Sequence, residues 1–246
     1  MSANINTASS TPKKILMVVA NPSVSTTVGG PVGFWSSELT HPWNAFTEVG
    51  YEVTIASPDG GKVEFDAMSD PRDESGYSAH DLVSMGFIHT PSLVALLDNT
   101  PALDSLNTSD FDAIVVAGGQ SPMFTFEKAT GLHQKLAEFY EAEKVTAALC
   151  HGTAALLYVN LSDGKHLIEG KTMTGFANTE EDFVDSWVGQ KVMPFRIEDE
   201  AKKLGANFIT GGLFKAFAVR DGHLITGQQQ YSGAETAKLV IEAMGV

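Results

Sequence analysis

The amino-acid sequence predicts an α/β fold: a doubly wound, mostly parallel sheet with helices on both faces. Short apolar runs that end at turn residues, such as ILMVVA from residue 15 and DAIVVA from residue 112, are typical of strands buried on both sides. They alternate with longer stretches of helical periodicity, which favours parallel strands joined by helices. Asp221-Gly222 lies between two further apolar runs and indicates a hairpin, so one antiparallel strand is expected.

The same patterns place the individual elements. Strands are predicted at residues 15–20, 51–57, 112–117, 145–149, 171–176, 216–220 and 223–226. Helices are predicted at residues 36–49, 91–98, 132–143, 153–159, 180–188, 197–204 and 232–244. Pro42 is expected to kink or interrupt the first helix, and Ser232, with Glu235 three residues on, to cap the last. Residues 66–90 are charged and predicted to be irregular.

Length and composition indicate one domain. The 246 residues suffice for a large core, and no change in composition divides them. Residues 1–12 are predicted to be a mobile tail and residues 13–246 a single domain. The net charge of −14 opposes binding to nucleic acid or to an anionic membrane. The sequence lacks a membrane-length apolar stretch and a secretory signal, and it has one cysteine, so a cytoplasmic location is expected.

The stretch KVTAALCHGTAALLYV, residues 144–159, carries the clearest functional signal. A predicted strand turns there into a predicted helix, and Cys150 lies at the corner, followed by His151 and Gly152. Backbone N–H groups at the start of a helix favour a thiolate. Cys150 is the only cysteine, so it cannot form an internal disulfide. We interpret it as a nucleophile rather than a small buried apolar residue, and expect its pKa to lie below the ordinary value of about 8.5.

Four separated motifs resemble, in the same order, those of one superfamily. They are PVGFWSSELTHPW at residues 31–43, AGGQ at 117–120, AALCHG at 147–152 and EGKTMTGFANTEE at 169–181. They resemble the ThiJ/PfpI superfamily, and within it the longer branch of glutathione-independent glyoxalases and stress-induced chaperone-like proteins. The resemblance runs from about Lys13 to the C-terminus. It implies a flavodoxin-like, class I glutamine amidotransferase-like fold and a homodimer.

The resemblance also implies roles for residues around the cysteine. Glu38, ahead of the His-Pro step in SELTHPW, corresponds to an acidic residue of the family and would keep its proton and donate a hydrogen bond to the thiolate, because two adjacent negative charges are unfavourable. His151 would act as a general acid/base. Glu181 falls where the family places its acidic third member and would fix the His151 tautomer, with Glu180 and Asp182 as alternatives.

The substrate-binding groups are less clearly marked. The backbone N–H groups of Gly119 and His151 are candidate oxyanion donors. Where the glyoxalase branch commonly has Gly-Gly-His-Gly, this chain has Gln120 in third place, which can hydrogen-bond a carbonyl group but cannot exchange a proton as histidine can. Apolar residues near the motifs are expected to form the pocket wall, with core packing as the alternative: Phe34, Trp35, Met123, Phe124 and Trp187.

Residues and resemblance together imply a cofactor-free enzyme, a lyase of the glyoxalase III type. It would convert methylglyoxal or a related 2-oxoaldehyde to a 2-hydroxy acid through a Cys150 hemithioacetal. No metal is expected, because the spacing of His80 and His89 matches no zinc pattern. Isocyanide hydratase and protein or nucleotide deglycase activities share such a site and are alternatives. A non-enzymatic alternative is a stress chaperone or a sensor of cysteine oxidation.

Overall fold

The computed structural model describes residues 11–245, so most of the predicted tail and Val246 lie outside the described residues. The strands are β1 (Lys14–Val18), β2 (Ser23–Val24), β3 (Pro31–Val32), β4 (Glu52–Ala56), β5 (Ala113–Val116), β6 (Val145–Leu149), β7 (Thr172–Met173), β8 (Asn207–Phe208), β9 (Ala218–Asp221) and β10 (Leu224–Gly227). The α-helices are α1 (Ser36–Glu48), α2 (Leu82–Ile88), α3 (Pro91–Asp98), α4 (Pro122–Thr125), α5 (Thr130–Glu141), α6 (Asn178–Val188), α7 (Ile197–Lys203) and α8 (Gly233–Met244). Within residues 11–245, no helix combines the length and the apolar character needed to cross a membrane.

The central sheet has six strands in the order β4-β1-β5-β6-β10-β9. The pairs from β4 through to β10 are parallel, and β9 pairs antiparallel with β10. The predicted α/β class, with one antiparallel strand after the Asp221-Gly222 turn, is therefore confirmed.

Alternation along the strands separates two apolar layers. One layer contains α5 and includes Leu16, Val18, Ile114 and Val116. The other contains α1 and α8 and includes Ile15, Met17, Ala113 and Val115. All of these strand side chains are fully buried, and for each of them except Ala113 burial is worth about 1.5–3 kcal/mol relative to exposure. Helices therefore cover both faces of the sheet, as the near-continuous apolar strands require.

The predicted strand at residues 171–176 is wrong as a member of the central sheet. Only β7 forms there, and it pairs with β8 outside that sheet. The place beside β6 is taken by β10. The N–H group of Thr174 donates to the Thr226 hydroxyl at 2.8 Å instead of to a strand backbone. The chain therefore leaves β7 after Met173 and continues to α6, which begins at Asn178.

Three smaller expectations also differ from the structure. Residues 66–90 are not wholly irregular, because they contain α2, whose first turn is capped by the Asp81 side chain. Ser232 does not cap α8: its hydroxyl accepts hydrogen bonds from the N–H groups of Gln229, in the turn before the helix, and of Phe217, directly before β9. α1 continues through Pro42 without interruption.

Three glycines let the ends of β5 and β6 and the start of α1 approach closely. A Cβ atom on Gly118 would lie 2.8 Å from a Glu38 carboxyl oxygen. Gly119 has a φ of 107°, and a Cβ atom there would lie 2.4 Å from the backbone nitrogen that precedes α1. A Cβ atom on Gly152 would lie 2.7 Å from two carbonyl oxygens at the end of β5. These contacts leave no space for a side chain where the three elements meet.

Gly152→Ala should lower the free energy of unfolding by about 1–3 kcal/mol, because the added methyl group is forced against backbone that cannot move without displacing β5. Gly86→Ala is the matched control. Gly86 lies within α2 with open space at its Cβ position, so the same substitution there should raise the free energy of unfolding by up to about 1 kcal/mol. Urea unfolding followed by circular dichroism measures both. Equal effects at the two positions would contradict the close approach described above.

Candidate active site

Cys150 lies at a backbone corner between β6 and the 3-10 helix Cys150–Tyr158. Its φ of 54° is in the left-handed region, which costs a residue other than glycine about 1–3 kcal/mol and persists only where neighbouring contacts hold it. One such contact is the Thr153 hydroxyl, which donates to the Cys150 carbonyl oxygen at 2.7 Å. The strand-to-helix corner predicted from the sequence is thus present, with a buried thiol at its apex.

The Glu38 carboxyl group reaches the thiol from the first turn of α1 and is fully buried. Its Oε2 accepts a hydrogen bond from the Gly118 N–H group at 2.7 Å. Its Oε1 is buried and receives no hydrogen bond from the described residues. The carboxyl group also contacts the Cys150 thiol. A buried carboxyl oxygen that receives no hydrogen bond can carry the proton of a neutral carboxyl group.

Burial dominates the ionisation of Glu38 and Cys150. Desolvation raises the pKa of Glu38 from 4.5 to about 8, against smaller lowering effects of Cys150 and Gly118. Glu38 therefore keeps its proton at neutral pH. Burial also raises the pKa of the Cys150 thiol well above its ordinary value, and Glu38 raises it further, although the N–H groups of His151 and Gly119 lower it. The expectation of a lowered thiol pKa is wrong, because the sequence indicates the N–H groups but not the complete burial.

His151 is paired with Glu181. The Nε2 atom of His151 lies 3.0 Å from Glu181 Oε1, and both side chains are buried. The imidazole ring packs against Phe176 with a centroid distance of 4.2 Å. A carboxylate at this distance fixes the orientation of the imidazole and stabilises the imidazolium that forms when it accepts a proton.

The two acids beside Glu181 face other partners. Glu180 Oε1 accepts hydrogen bonds from the Phe214 N–H group at 3.1 Å and from Gln228 Nε2 at 2.7 Å. Its burial raises its pKa. Asp182 is exposed and forms an ion pair with Arg196 at 2.9 Å. Of the three consecutive acids, Glu181 is the one that contacts His151.

Asp66 is a buried acid of the site that the sequence analysis missed. Its Oδ1 accepts a hydrogen bond from the Gly33 N–H group at 2.8 Å, and its Oδ2 accepts one from the Gln120 N–H group at 2.6 Å. Burial raises its pKa from 3.8 to about 6. Asp66 thus joins the loop before α1 to the Gly119-Gln120 turn. That turn directs the Gly119 N–H group toward the Cys150 sulfur. The backbone corner at Cys150 directs the His151 N–H group toward the same sulfur.

A cavity of about 500 Å³ is lined by Cys150, His151, Glu181, Gly119 and Gln120, with apolar side chains around them. Trp35 and Trp187 line it as expected.

Three other residues expected in the cavity wall do not line it. Phe34 is fully buried in the layer that contains α1, whereas Met123 and Phe124 pack into the layer that contains α5. The expectation fails for these residues because closeness in sequence does not distinguish a side chain that faces the core from one that faces a cavity.

His80 and His89, the residues considered for metal binding, are exposed on either side of α2. Neither lines the cavity that contains Cys150. In the part of the chain that the structure describes, no group of three or more His, Cys, Asp or Glu side chains is arranged to hold a metal ion.

A mostly parallel sheet that carries a buried cysteine at a strained corner, beside a histidine and two buried acids, defines a class of α/β proteins with a nucleophile elbow. The chain belongs to the DJ-1/PfpI family, whose model matches residues 30–243. The family resemblance inferred from the four motifs is thereby confirmed.

Comparison with individual proteins agrees with this assignment. The chain is 32% identical to the glutathione-independent glyoxalase HSP31 of Saccharomyces cerevisiae, over 95% of this chain and 98% of that protein. Its structure is similar to that of the rapid encystment protein of Francisella tularensis, with a TM-score of 0.85, 29% identity and coverage of 95% and 100% of the two chains. It is also similar to that of glyoxalase III from Candida albicans, with a TM-score of 0.80, 26% identity and coverage of 94% and 97%.

Glu38→Gln should remove a pH dependence of stability. Because its pKa is raised in the folded protein, the native state keeps a proton that the unfolded chain has lost between pH 4.5 and about 8. The free energy of unfolding should therefore fall as pH rises through this window, by about 1.4 kcal/mol per pH unit. Asp66 acts in the same direction only up to about pH 6, so between about pH 6 and 8 the difference in slope between the wild type and Glu38→Gln reports on Glu38.

Chemical unfolding at several pH values in that window measures the slope. Glu48→Gln, which removes an exposed carboxyl group from the end of the same helix, is the control and should keep the wild-type slope. A wild-type slope that survives in Glu38→Gln would show that Glu38 is not the group that retains the proton.

Proposed function

We propose that the protein is a glutathione-independent glyoxalase that converts a 2-oxoaldehyde to a 2-hydroxy acid without a cofactor. The observation that carries the proposal is the assembly, around one cavity, of a thiol, an imidazole with a carboxylate partner and two backbone N–H groups. These groups are a nucleophile, a general acid/base and an oxyanion site, which is the set that such a reaction requires. The glyoxalase names of the HSP31 relative and of the Candida structure support the same reaction.

In the first step the Cys150 sulfur adds to the aldehyde carbon. The S–C bond forms, the carbonyl π bond breaks with its electron pair moving onto oxygen, and that oxygen takes up the thiol proton, which gives a hemithioacetal. Because the resting thiol is protonated, a base must accept its proton during the addition, and we assign this role to His151. The N–H groups of Gly119 and His151 would stabilise the oxygen as its negative charge develops.

In the second step a proton moves from the former aldehyde carbon to the neighbouring ketone carbon through an enediol, while the hydroxyl proton of the hemithioacetal passes to the ketone oxygen. His151 would remove and return this proton, with its positive charge stabilised by Glu181. The product is a thioester of a 2-hydroxy acid on Cys150. Water then attacks the thioester carbon, the C–S bond breaks, and the 2-hydroxy acid and the thiol are released. Glu38, protonated beside the sulfur, would donate a hydrogen bond to the thiolate as it leaves.

Gln120 takes the place of the histidine that is common in the glyoxalase branch. It lines the cavity, and its backbone is held by Asp66, so its amide group is available to hydrogen-bond the ketone oxygen of the substrate. It cannot transfer a proton, and the proposed steps assign all proton transfer at carbon to His151.

We also propose a cytoplasmic homodimer, on the basis of the composition and the family resemblance. The chaperone or oxidation-sensor alternative differs from the enzyme in one measurable respect. An enzyme consumes aldehyde catalytically in the reduced state and loses this turnover on Cys150→Ala, whereas a chaperone or sensor shows no turnover to lose.

Glu181→Gln should lower kcat for methylglyoxal about 10²-fold or more, because a neutral amide cannot stabilise the imidazolium that forms during proton transfer. Asp182→Asn is the matched control, since Asp182 is an exposed acid one residue along the same helix. Its partner Arg196 keeps an ion pair with Asp185 when Asp182 is changed. The kcat of this control should stay within about twofold of the wild type. Formation of D-lactate or L-lactate from methylglyoxal measures both variants, and unchanged turnover in Glu181→Gln would contradict the proposed pair.

A further inference from the structure

The cavity is large and apolar compared with methylglyoxal, which has only a methyl group beside its ketone. Its volume of about 500 Å³ lies in the range of sites that enclose ligands of the size of drugs. None of the described residues that line it is a lysine or an arginine, so it offers no cation to a phosphate or carboxylate group. The net charge of −14 further disfavours the approach of an anion.

An aromatic wall extends from the reacting groups toward solvent. Phe176 packs on the His151 ring, the Phe214 ring lies 6.4 Å from that of Phe176, and the Phe183 ring lies 5.3 Å from that of Phe214, both in edge arrangements. Phe183 is 52% exposed, so the wall reaches the surface. Such rings favour an aromatic ligand by edge and face contacts.

One residue of the aromatic wall, Phe214, has a strained backbone conformation. Phe214 has a φ of 48°, in the left-handed region that is unfavourable for a bulky residue. Its N–H group is held by the buried Glu180, which is fixed in turn by the Gln228 amide. Strained residues that surrounding contacts over-determine are concentrated at functional sites. Glu180 therefore positions the aromatic wall rather than the imidazole.

α6, which also carries Phe183, forms a further side of the cavity. Glu181, Val184 and Val188, spaced by three and four residues, share the helix face that lines the cavity. The helix rise places Val188 roughly 10 Å along the axis from Glu181. The apolar part of the cavity therefore extends past Cys150 and His151 by several bond lengths more than methylglyoxal would fill.

From these observations we infer that the site takes 2-oxoaldehydes whose ketone carbon carries a bulky, uncharged, aromatic group, of which phenylglyoxal is the simplest. The inference rests on the proposed glyoxalase function. The aldehyde end lies at Cys150, and the ring lies among Phe176, Phe214 and the two valines of α6 that line the cavity.

The first test compares kcat/KM for phenylglyoxal and methylglyoxal. In the wild-type protein the ratio should be at least about tenfold in favour of phenylglyoxal. Val184→Trp fills the apolar part of the cavity and should lower the ratio about tenfold or more, and Phe183→Ala, at an exposed position that tolerates truncation, should lower it severalfold. Ser186→Trp adds the same bulk on the exposed side of α6 and should leave the ratio unchanged. A wild-type ratio near one, or a ratio that neither cavity variant alters, would overturn the inference.

The second test needs no turnover. Cys150 is the only cysteine, so its alkylation by iodoacetamide reports directly on access to the site. Acetophenone should slow this alkylation at least about tenfold more than acetone at equal concentration, and Val184→Trp should abolish the difference. If methylglyoxal is consumed but acetophenone protects no better than acetone, the substrate inference is wrong while the glyoxalase function stands. If acetophenone protects but neither aldehyde is consumed, the function is wrong while the preference for an aryl carbonyl ligand stands.

Discussion

The contact between two buried acids, the Glu38 carboxyl group and the Cys150 thiol, is the interaction on which the rest of the site depends. Neither group can ionise in its apolar surroundings without a large cost in desolvation, and both cannot ionise together. Both groups therefore keep their protons at neutral pH. Gly118, Gly119 and Gly152 pack closely beside this contact. Their lack of side chains brings the ends of β5 and β6 and the start of α1 within reach of the Cys150 sulfur atom.

The other buried acids of the site each hold one part of it. Asp66 holds the Gly119-Gln120 turn against the loop before α1. Glu181 holds the imidazole of His151, and Glu180 holds the strained Phe214 that forms part of the cavity wall. Each of these acids accepts its hydrogen bonds from a different part of the chain, and this separation lets one small region orient the thiol, the imidazole and the cavity wall independently. Four buried carboxyl groups thus surround the thiol and the imidazole of this acidic protein.

The fold was largely predictable because its strands are buried on both faces and therefore apolar throughout. The corner at Cys150 was predictable for the same reason, since the apolar run stops at Cys-His-Gly. The choice among Glu180, Glu181 and Asp182 was not, because successive side chains on a helix point about 100° apart and only tertiary packing sets which one faces His151. α2 was missed although Asp81 is a good cap, because its Gly86 and Ser84 weaken the helical pattern.

Asp66 and the thiol pKa could not be predicted, for a related reason. Asp66 lies at the end of the charged stretch KVEFD, where an acid is usually solvated, and nothing local indicates that it accepts hydrogen bonds from two distant loops. The pKa of Cys150 depends on how completely α1 and the cavity wall cover it, which is a property of the assembled fold. The sequence also does not distinguish Phe34, Met123 and Phe124 from residues of the cavity wall, because an apolar side chain near a motif fits a core and a cavity equally well.

Infrared difference spectroscopy of the wild type against Glu38→Gln tests the central claim most directly, because a protonated carboxyl group has a C=O stretching band that its carboxylate lacks. The band assigned to Glu38 should be present at neutral pH and disappear with a midpoint near pH 8. Its loss with a midpoint near the ordinary carboxyl pKa of about 4.5 would contradict a proton held beside Cys150, and with it the order of ionisation on which the proposed chemistry depends.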